Sequence, residues 1–334
     1  MQENYVNQDF DALQRKIKTI LVIRPNHRVG NLLLVTPLLQ EIEFQFPHAK
    51  IDLFDKGNIA KILFKQYGSL DEIIQLPRKP FKDFWNYLKG WFKILTKKYD
   101  LVINVNESSK SGSIAAKLAR GTMKLSCRTD TKLQLEGYKH MGKYPVYSLR
   151  FFIKSNVHDR DVPYLNLKLS EGEIERGKVL LDKILPRKEK IICLYTFATA
   201  KKMHSKEWWK RFFDELEKLF PDHTFFELLP KENVSQLDFK LPTIYSEDLR
   251  EMGGILANCK CFIGADSGIM HLASASNTPT FGFFNVTDVE IYRPYNRGSL
   301  AIDTTQYEVS DIAKLIQQQL KLIENKDDVI ISQA

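Results

Sequence analysis

At 334 residues and 43% hydrophobic, the chain has the length of two α/β domains with separate cores and the composition of a soluble globular protein. No apolar run approaches the ~20 residues of a membrane span, and the opening MQENYVNQDFDALQRK is acidic before it is basic, unlike a signal peptide. The net charge of +8 is uneven: residues 1–160 carry 27 Lys+Arg against 15 Asp+Glu, residues 161–334 carry 22 against 26, and no nucleic-acid-binding motif accompanies the basic half.

In chain order, Ile20–Arg24 reads as a first strand and Asn31–Phe46 as a helix ended near Pro47. Ile51–Phe54 (strand), Ile59–Gln66 (helix) and Ile73–Leu76 (strand) follow. Residues 76–98 then carry Arg78, Lys79, Lys82, Lys89, Lys93, Lys97 and Lys98 against a single acid, Asp83, with Phe81, Phe84, Trp85, Tyr87, Trp91 and Phe92 interleaved. Such a helix either lies in an anionic membrane interface or covers a sheet with its basic face solvated. Leu101–Val105 is a further strand, Ser113–Ala119 a helix and Met123–Ser126 a strand. Residues 128–160 read as a loop and a helix near Val146–Lys154, and a polar stretch with a helix over Glu171–Ile184 bridges the halves. The second series runs Ile191–Tyr195 (strand), Glu207–Phe220 (helix), Thr224–Leu229 (strand) and Asp248–Asn258 (helix). A signature unit, a short strand at Ile302 and a helix over Val309–Ile323 complete it. The four cysteines, Cys127, Cys193, Cys259 and Cys261, lack the spacing of a disulfide framework or metal site and read as reduced core thiols of a cytosolic protein.

The signature unit is the most informative stretch. Cys261–Gly264 is a buried strand, Ala265-Asp266-Ser267-Gly268 a sharp turn, Met270, Leu272 and Ala275 follow helical spacing, and Thr280–Phe284 is a second strand. In a βαβ unit, ligands bind beyond the carboxyl ends of the strands. Here that end carries an acid, a hydroxyl and a glycine where helical N–H groups lack partners and favour negative charge, which suits a phosphate. The same residues also read as an ordinary N-cap.

The pattern Asp266-Ser267-Gly268-x-x-His271-x-Ala273, then Pro279, Gly282, Asp288 and Pro294, resembles the C-terminal signature of glycosyltransferase family 9, the lipopolysaccharide heptosyltransferases. The resemblance covers most of residues 19–305. It implies an α/β protein of GT-B fold, two Rossmann-like domains with parallel sheets facing across a cleft. The expected divisions are an acceptor-side domain (1–160), a bridging helix (161–185), a nucleotide-sugar-binding domain (186–325) and a tail (326–334).

The resemblance also implies roles. Arg24-Pro25-Asn26-His27-Arg28-Val29-Gly30-Asn31 occupies the place of the family's first loop, whose Asp is regarded as the base that deprotonates the acceptor. Asn31 stands at that position, and an amide has no usable pKa for the task. Asn104 likewise replaces a frequent Asp. His27, Asp55 and Glu107 are the candidates for a relocated base, and Arg28 and Lys110 for pairing with acceptor phosphates. Lys202 fits the family's basic residue beside the donor diphosphate, although His204-Ser205 replaces its usual Trp-Pro. Thr196 and Thr199 are candidate hydroxyl donors, Glu232 matches an acid near the ribose, Asp266 would orient sugar or phosphate, and His271 would support the turn.

The function implied is inverting transfer of a sugar, ADP-heptose being the expected donor, onto a lipopolysaccharide-core or related glycolipid. No metal is expected, since no D-x-D motif of the kind metal-dependent glycosyltransferases use is present, and no cofactor. The expected location is cytoplasmic, with residues 76–98 a candidate peripheral contact with the inner membrane. Two alternatives stay open: a non-catalytic nucleotide-sugar-binding protein, for which Asn31 and Asn104 argue, and a sugar-nucleotide epimerase.

Overall fold

The computed structural model describes residues 12–129, 138–155, 160–185 and 190–332. The expectation of no signal peptide therefore falls mostly outside the described residues, as do parts of the loop before the Val146 helix and of the bridging stretch. The chain divides into two compact units, Met1–Lys168 and Leu169–Ala334.

The first unit is built on five parallel strands: β1 (Thr19–Ile23), β2 (Lys50–Lys56), β3 (Leu70–Leu76), β4 (Lys98–Asn104) and β5 (Arg120–Ser126), in the order β3-β2-β1-β4-β5. Central strand β1, TILVI, is buried along almost its whole length, as a parallel strand covered on both faces requires. Its helices are α1 (Val29–Leu33), α2 (Thr36–Gln45), α3 (Ala60–Leu63), α4 (Phe84–Thr96), α5 (Lys110–Leu118) and α6 (Tyr144–Phe152). The single helix expected over Asn31–Phe46 is thus two. Pro37 sits in the first turn of α2, where its missing N–H is harmless; in a continuous helix its ring would clash with the carbonyl of Leu33. The Thr36 hydroxyl donates to that carbonyl instead, at 2.7 Å. A buried ion cluster holds α6 to α2: Arg150 grips both oxygens of Glu41, at 3.0 and 2.8 Å, and Arg160 adds a third bond at 2.6 Å. These guanidinium groups outweigh burial and lower the Glu41 pKa.

The second unit has six parallel strands: β6 (Ile191–Tyr195), β7 (Thr224–Leu228), β8 (Thr243–Ile244), β9 (Cys261–Ala265), β10 (Thr280–Phe284) and β11 (Leu300–Asp303), in the order β11-β10-β9-β6-β7-β8. Around them lie α7 (Glu171–Ile184), α8 (Lys206–Leu219), α9 (Leu249–Ala257), α10 (Gly268–Ala275), α11 (Val289–Tyr292) and α12 (Val309–Ser332). Trp209, Phe212, Phe213 and Leu216 repeat at helical spacing on α8 and bury against Phe283 and Ile312. The terminal helix passes the expected end at Ile323 and includes most of the residues read as a tail.

The helix read as a bridge, α7, packs wholly inside the second unit. A Cβ on Gly177 would lie 2.1 Å from the Gly254 carbonyl carbon, so only glycine allows α7 and α9 to approach this closely. Arg250 binds both oxygens of Glu173 there, at 2.6 and 2.7 Å, while Glu173 also completes the capping box on Ser170. All four cysteines are buried as free thiols, Cys127 in the first unit and the other three in the second. Among the described residues, no helix is long and apolar enough to cross a membrane.

Candidate functional site

Strands β6 and β9 are neighbours in the second sheet, yet the chain leaves them toward opposite edges. This is a topological switch point, where the carboxyl ends of two parallel strands open a crevice. From β6 the chain continues through Thr196 to a single 3-10 turn, Ala200–Lys202; from β9 it passes through Asp266 and Ser267 into α10. Lys202 Nζ donates to Asp266 Oδ2 at 2.6 Å, joining the two loops. Asp266 is buried, whereas the Lys202 side chain is 34% exposed, so the cation keeps an open side. Ser267 caps α10, its Oγ accepting from the Met270 N–H at 3.3 Å.

His271, one turn into α10, is buried. Burial and then Lys202 lower its pKa, against the opposing pull of Asp266, to about 4, which leaves a neutral imidazole behind the turn. Its ring lies 6.3 Å from that of Tyr292 on α11. The arrangement joins a half-open lysine and a capped helix N-terminus, groups that can hold a phosphate, with a buried acid that orients the lysine.

The remaining residues expected here divide. Thr199 is exposed at the start of the 3-10 turn, its side chain making no cap bond. Thr196 is instead turned inward: its hydroxyl donates to Glu227 Oε1 at 2.5 Å and accepts from the Gln236 N–H at 3.0 Å. Glu232 is exposed in the loop after β7, near enough to Tyr195 to reinforce the rise that burial gives its phenol pKa. Glu227 escaped the sequence reading. It is fully buried, accepts from Thr196 and from Ser235 at 2.5 Å, and its pKa rises through burial despite those bonds. The signal was an acid inside the apolar strand TFFEL. His204 is also structural. Its Nε2 lies 2.8 Å from the Thr304 hydroxyl, its ring 4.2 Å from Trp208, and burial lowers its pKa to about 4.

The first unit has its own switch point between β1 and β4. Asn31 lies on α1, its Oδ1 accepting from Arg24 Nη2 at 3.3 Å; Arg24, buried beside it, was not anticipated. Asn104 is buried at the end of β4, with Nδ2 3.4 Å from the Ser113 hydroxyl. His27 and Arg28 are exposed in the loop after β1. Burial and then Arg78, Lys56 and Arg28 lower the His27 pKa, so its imidazole is neutral at pH 7. Glu107 is exposed in the loop after β4, and Lys110, also exposed, opens α5. Asp55 is fully buried near the end of β2, neither of its oxygens has a hydrogen-bond partner, and burial pushes its pKa to about 8.

The sequence pattern of glycosyltransferase family 9 (heptosyltransferase) matches residues 88–319, more than half of the chain. The chain belongs to glycosyltransferase family 9. It is similar to lipooligosaccharide heptosyltransferase 2 of Haemophilus influenzae, with 23% identity across 88% of this chain and 91% of that one. A family 9 glycosyltransferase from Veillonella parvula superposes with a TM-score of 0.70 at 16% identity, covering 95% of this chain and 98% of the other. An E. coli heptosyltransferase solved with ADP gives 0.66 at 14% identity, covering 90% and 99%. These structures share the fold, GT-B with two Rossmann-like domains, and the family makes the chain a glycosyltransferase of the heptosyltransferase type.

Proposed function

We propose that this enzyme transfers heptose from ADP-heptose to a lipopolysaccharide-core or related glycolipid acceptor, in one inverting displacement that needs no metal. The observation that carries the reading is the Lys202–Asp266 pair at the start of α10, on the β6–β9 switch point. The acceptor oxygen attacks the anomeric carbon opposite the diphosphate; the new C–O bond forms as the bond to the diphosphate breaks. Negative charge then grows on the leaving ADP. The half-open Lys202 ammonium and the first N–H groups of α10 offset that charge, and Thr199 adds a hydroxyl. Asp266 orients Lys202, and neutral His271 fills the space behind the turn without adding a second charge.

The acceptor proton goes to His27 in this reading. It is exposed, neutral at pH 7, and set among Arg28, Lys56 and Arg78, cations suited to acceptor phosphates. Lys110, exposed at the start of α5, is a further cation for acceptor phosphates. Glu107, also exposed, is the second choice. Asp55 is set aside, because a sealed carboxyl with a pKa near 8 is mostly protonated at neutral pH and out of reach of a substrate hydroxyl.

The test is to incubate purified protein with a panel of nucleotide sugars, with and without lipid A–core acceptor extract, and to measure released nucleoside diphosphate. Release from ADP-heptose that depends on acceptor and survives EDTA supports the reading. Donor binding without release under any acceptor overturns it and leaves a nucleotide-sugar-binding protein. Asn31→Asp is the companion variant: with His27 as base its rate stays flat or falls, whereas a gain of tenfold or more means the native site lacks a base.

A further inference from the structure

Helix α4 has two apolar sides. Tyr87, Gly90, Trp91 and Ile94 face the first sheet, where Trp91 meets Phe54 edge to face at 5.6 Å and Ile94 is fully buried. Trp85, Leu88, Phe92 and Leu95, spaced i, i+3, i+7 and i+10, form a second stripe on the outer side, all exposed. Phe84 borders that stripe, and Phe81, in the preceding 3-10 turn, is 98% exposed; Trp85 is 80% and Phe92 65% exposed. Neighbouring α5, which packs against α4, adds exposed Ile114 and Leu118. Single exposed apolar residues are ordinary; a contiguous aromatic face of this extent marks an interaction surface.

Charge identifies the partner. Lys93 and Lys97 are spent on Glu72 and Asp52. Among the described residues, no carboxylate lies within ion-pair distance of Arg78, Lys79, Lys82 or Lys89. Arg78 and Lys89, with Lys61, line a cleft of about 630 Å³ between β3 and α4, which also contains Glu72 and Asp83. Rings on one face, with unneutralised cations beside them, match a surface that is apolar within and anionic at its boundary. A protein partner would meet the apolar stripe equally well but leaves the uncompensated cations unexplained.

We propose that α4 and the turn before it seat this protein on an anionic phospholipid bilayer, with the Phe81–Trp85–Phe92 side in the interface and Lys79, Lys82 and Lys89 against lipid phosphates. The docking is independent of the transfer reaction and is read without turnover. The full-length protein is sedimented with vesicles of phosphatidylcholine alone or with 30% phosphatidylglycerol, at low and high salt. Binding to the anionic vesicles that weakens with salt is expected, with a blue shift of tryptophan emission that Trp85→Phe abolishes. Lys79→Ala/Lys82→Ala/Lys89→Ala lowers affinity on the order of 100-fold, since each lysine near an anionic surface contributes about a factor of five. Trp85→Glu/Phe92→Glu abolishes binding, and because these side chains are exposed, its thermal midpoint and circular dichroism should match wild type. No vesicle binding, equal binding to neutral vesicles, or concentration-dependent dimerisation that the Glu variant removes would each overturn the proposal.

Discussion

The Lys202–Asp266 pair can serve the donor or only the fold, and a double-mutant cycle separates the two. Lys202→Met keeps the aliphatic stem and removes the charge, stranding the buried Asp266 carboxylate whose bond to Nζ is 2.6 Å long. Breaking a fully buried pair costs about 3–5 kcal/mol. An exposed pair is worth under about 1 kcal/mol. With Lys202 34% exposed, a loss of roughly 1–3 kcal/mol is expected, measured as the shift in the urea midpoint. If Lys202 also meets the charge that develops on the diphosphate, kcat falls a further ~10²–10³-fold, the usual effect of removing one preorganised donor from a transition state. The double variant Lys202→Met/Asp266→Asn carries no stranded charge and should regain most of the lost stability. It should not regain kcat, followed as initial nucleoside diphosphate release at saturating donor. A double variant within about fivefold of wild-type kcat, or a single variant within about threefold, would refute the assignment.

Three further outcomes follow from the same structure. His27→Gln should lower kcat by ~10²–10⁴-fold with donor affinity by calorimetry unchanged, and erase the acid limb of the rate profile. Because burial and then the surrounding cations lower its pKa, that limb in the wild type lies below pH 6.5, the basic form persisting to lower pH than in a free imidazole. Asp55→Asn should stabilise the protein increasingly as pH rises. The native carboxyl ionises near pH 8 and the unfolded one near 4, so wild type is most stable below the unfolded value and loses ~1.4 kcal/mol per pH unit between the two. Parallel melting curves at pH 5 and 8 with a constant gap would contradict this. Gly177→Val should destabilise the second unit by about 3 kcal/mol or more, since its side chain would overlap the Gly254 backbone; a midpoint unchanged in urea would show that α7 can move aside.

Local chemistry explains what the sequence revealed. Asp266, Ser267 and Gly268 lie within one turn of each other, so the strand, cap and helix start were readable without tertiary information. The break between α1 and α2 was not, because apolar spacing continues through Leu34 and Val35 and only the geometry at Pro37 interrupts it. Thr196 looked like a ligand donor because it follows a strand. Its partner Glu227 is 31 residues away, brought alongside by the β6–β7 register, and pairing at that distance leaves no periodic trace. Asp55 showed its acid and strand end but not its burial. For α4, the amphipathic pattern was legible while the choice of inner face was not, since aromatic residues occupy both sides and only contact with Phe54 and Ile74 decides between them.

The distribution of thiols gives each half of the enzyme its own clock. A buried Cys reacts with an alkylating reagent only when the structure around it opens, so modification rates measure local opening free energies. Cys127 reports on the first unit, while Cys193, Cys259 and Cys261 report on the second. Pulse alkylation followed by peptide mass mapping would therefore show, in a wild-type protein without added probes, whether the two units open together or one at a time. It would also show which of them a bound nucleotide sugar protects.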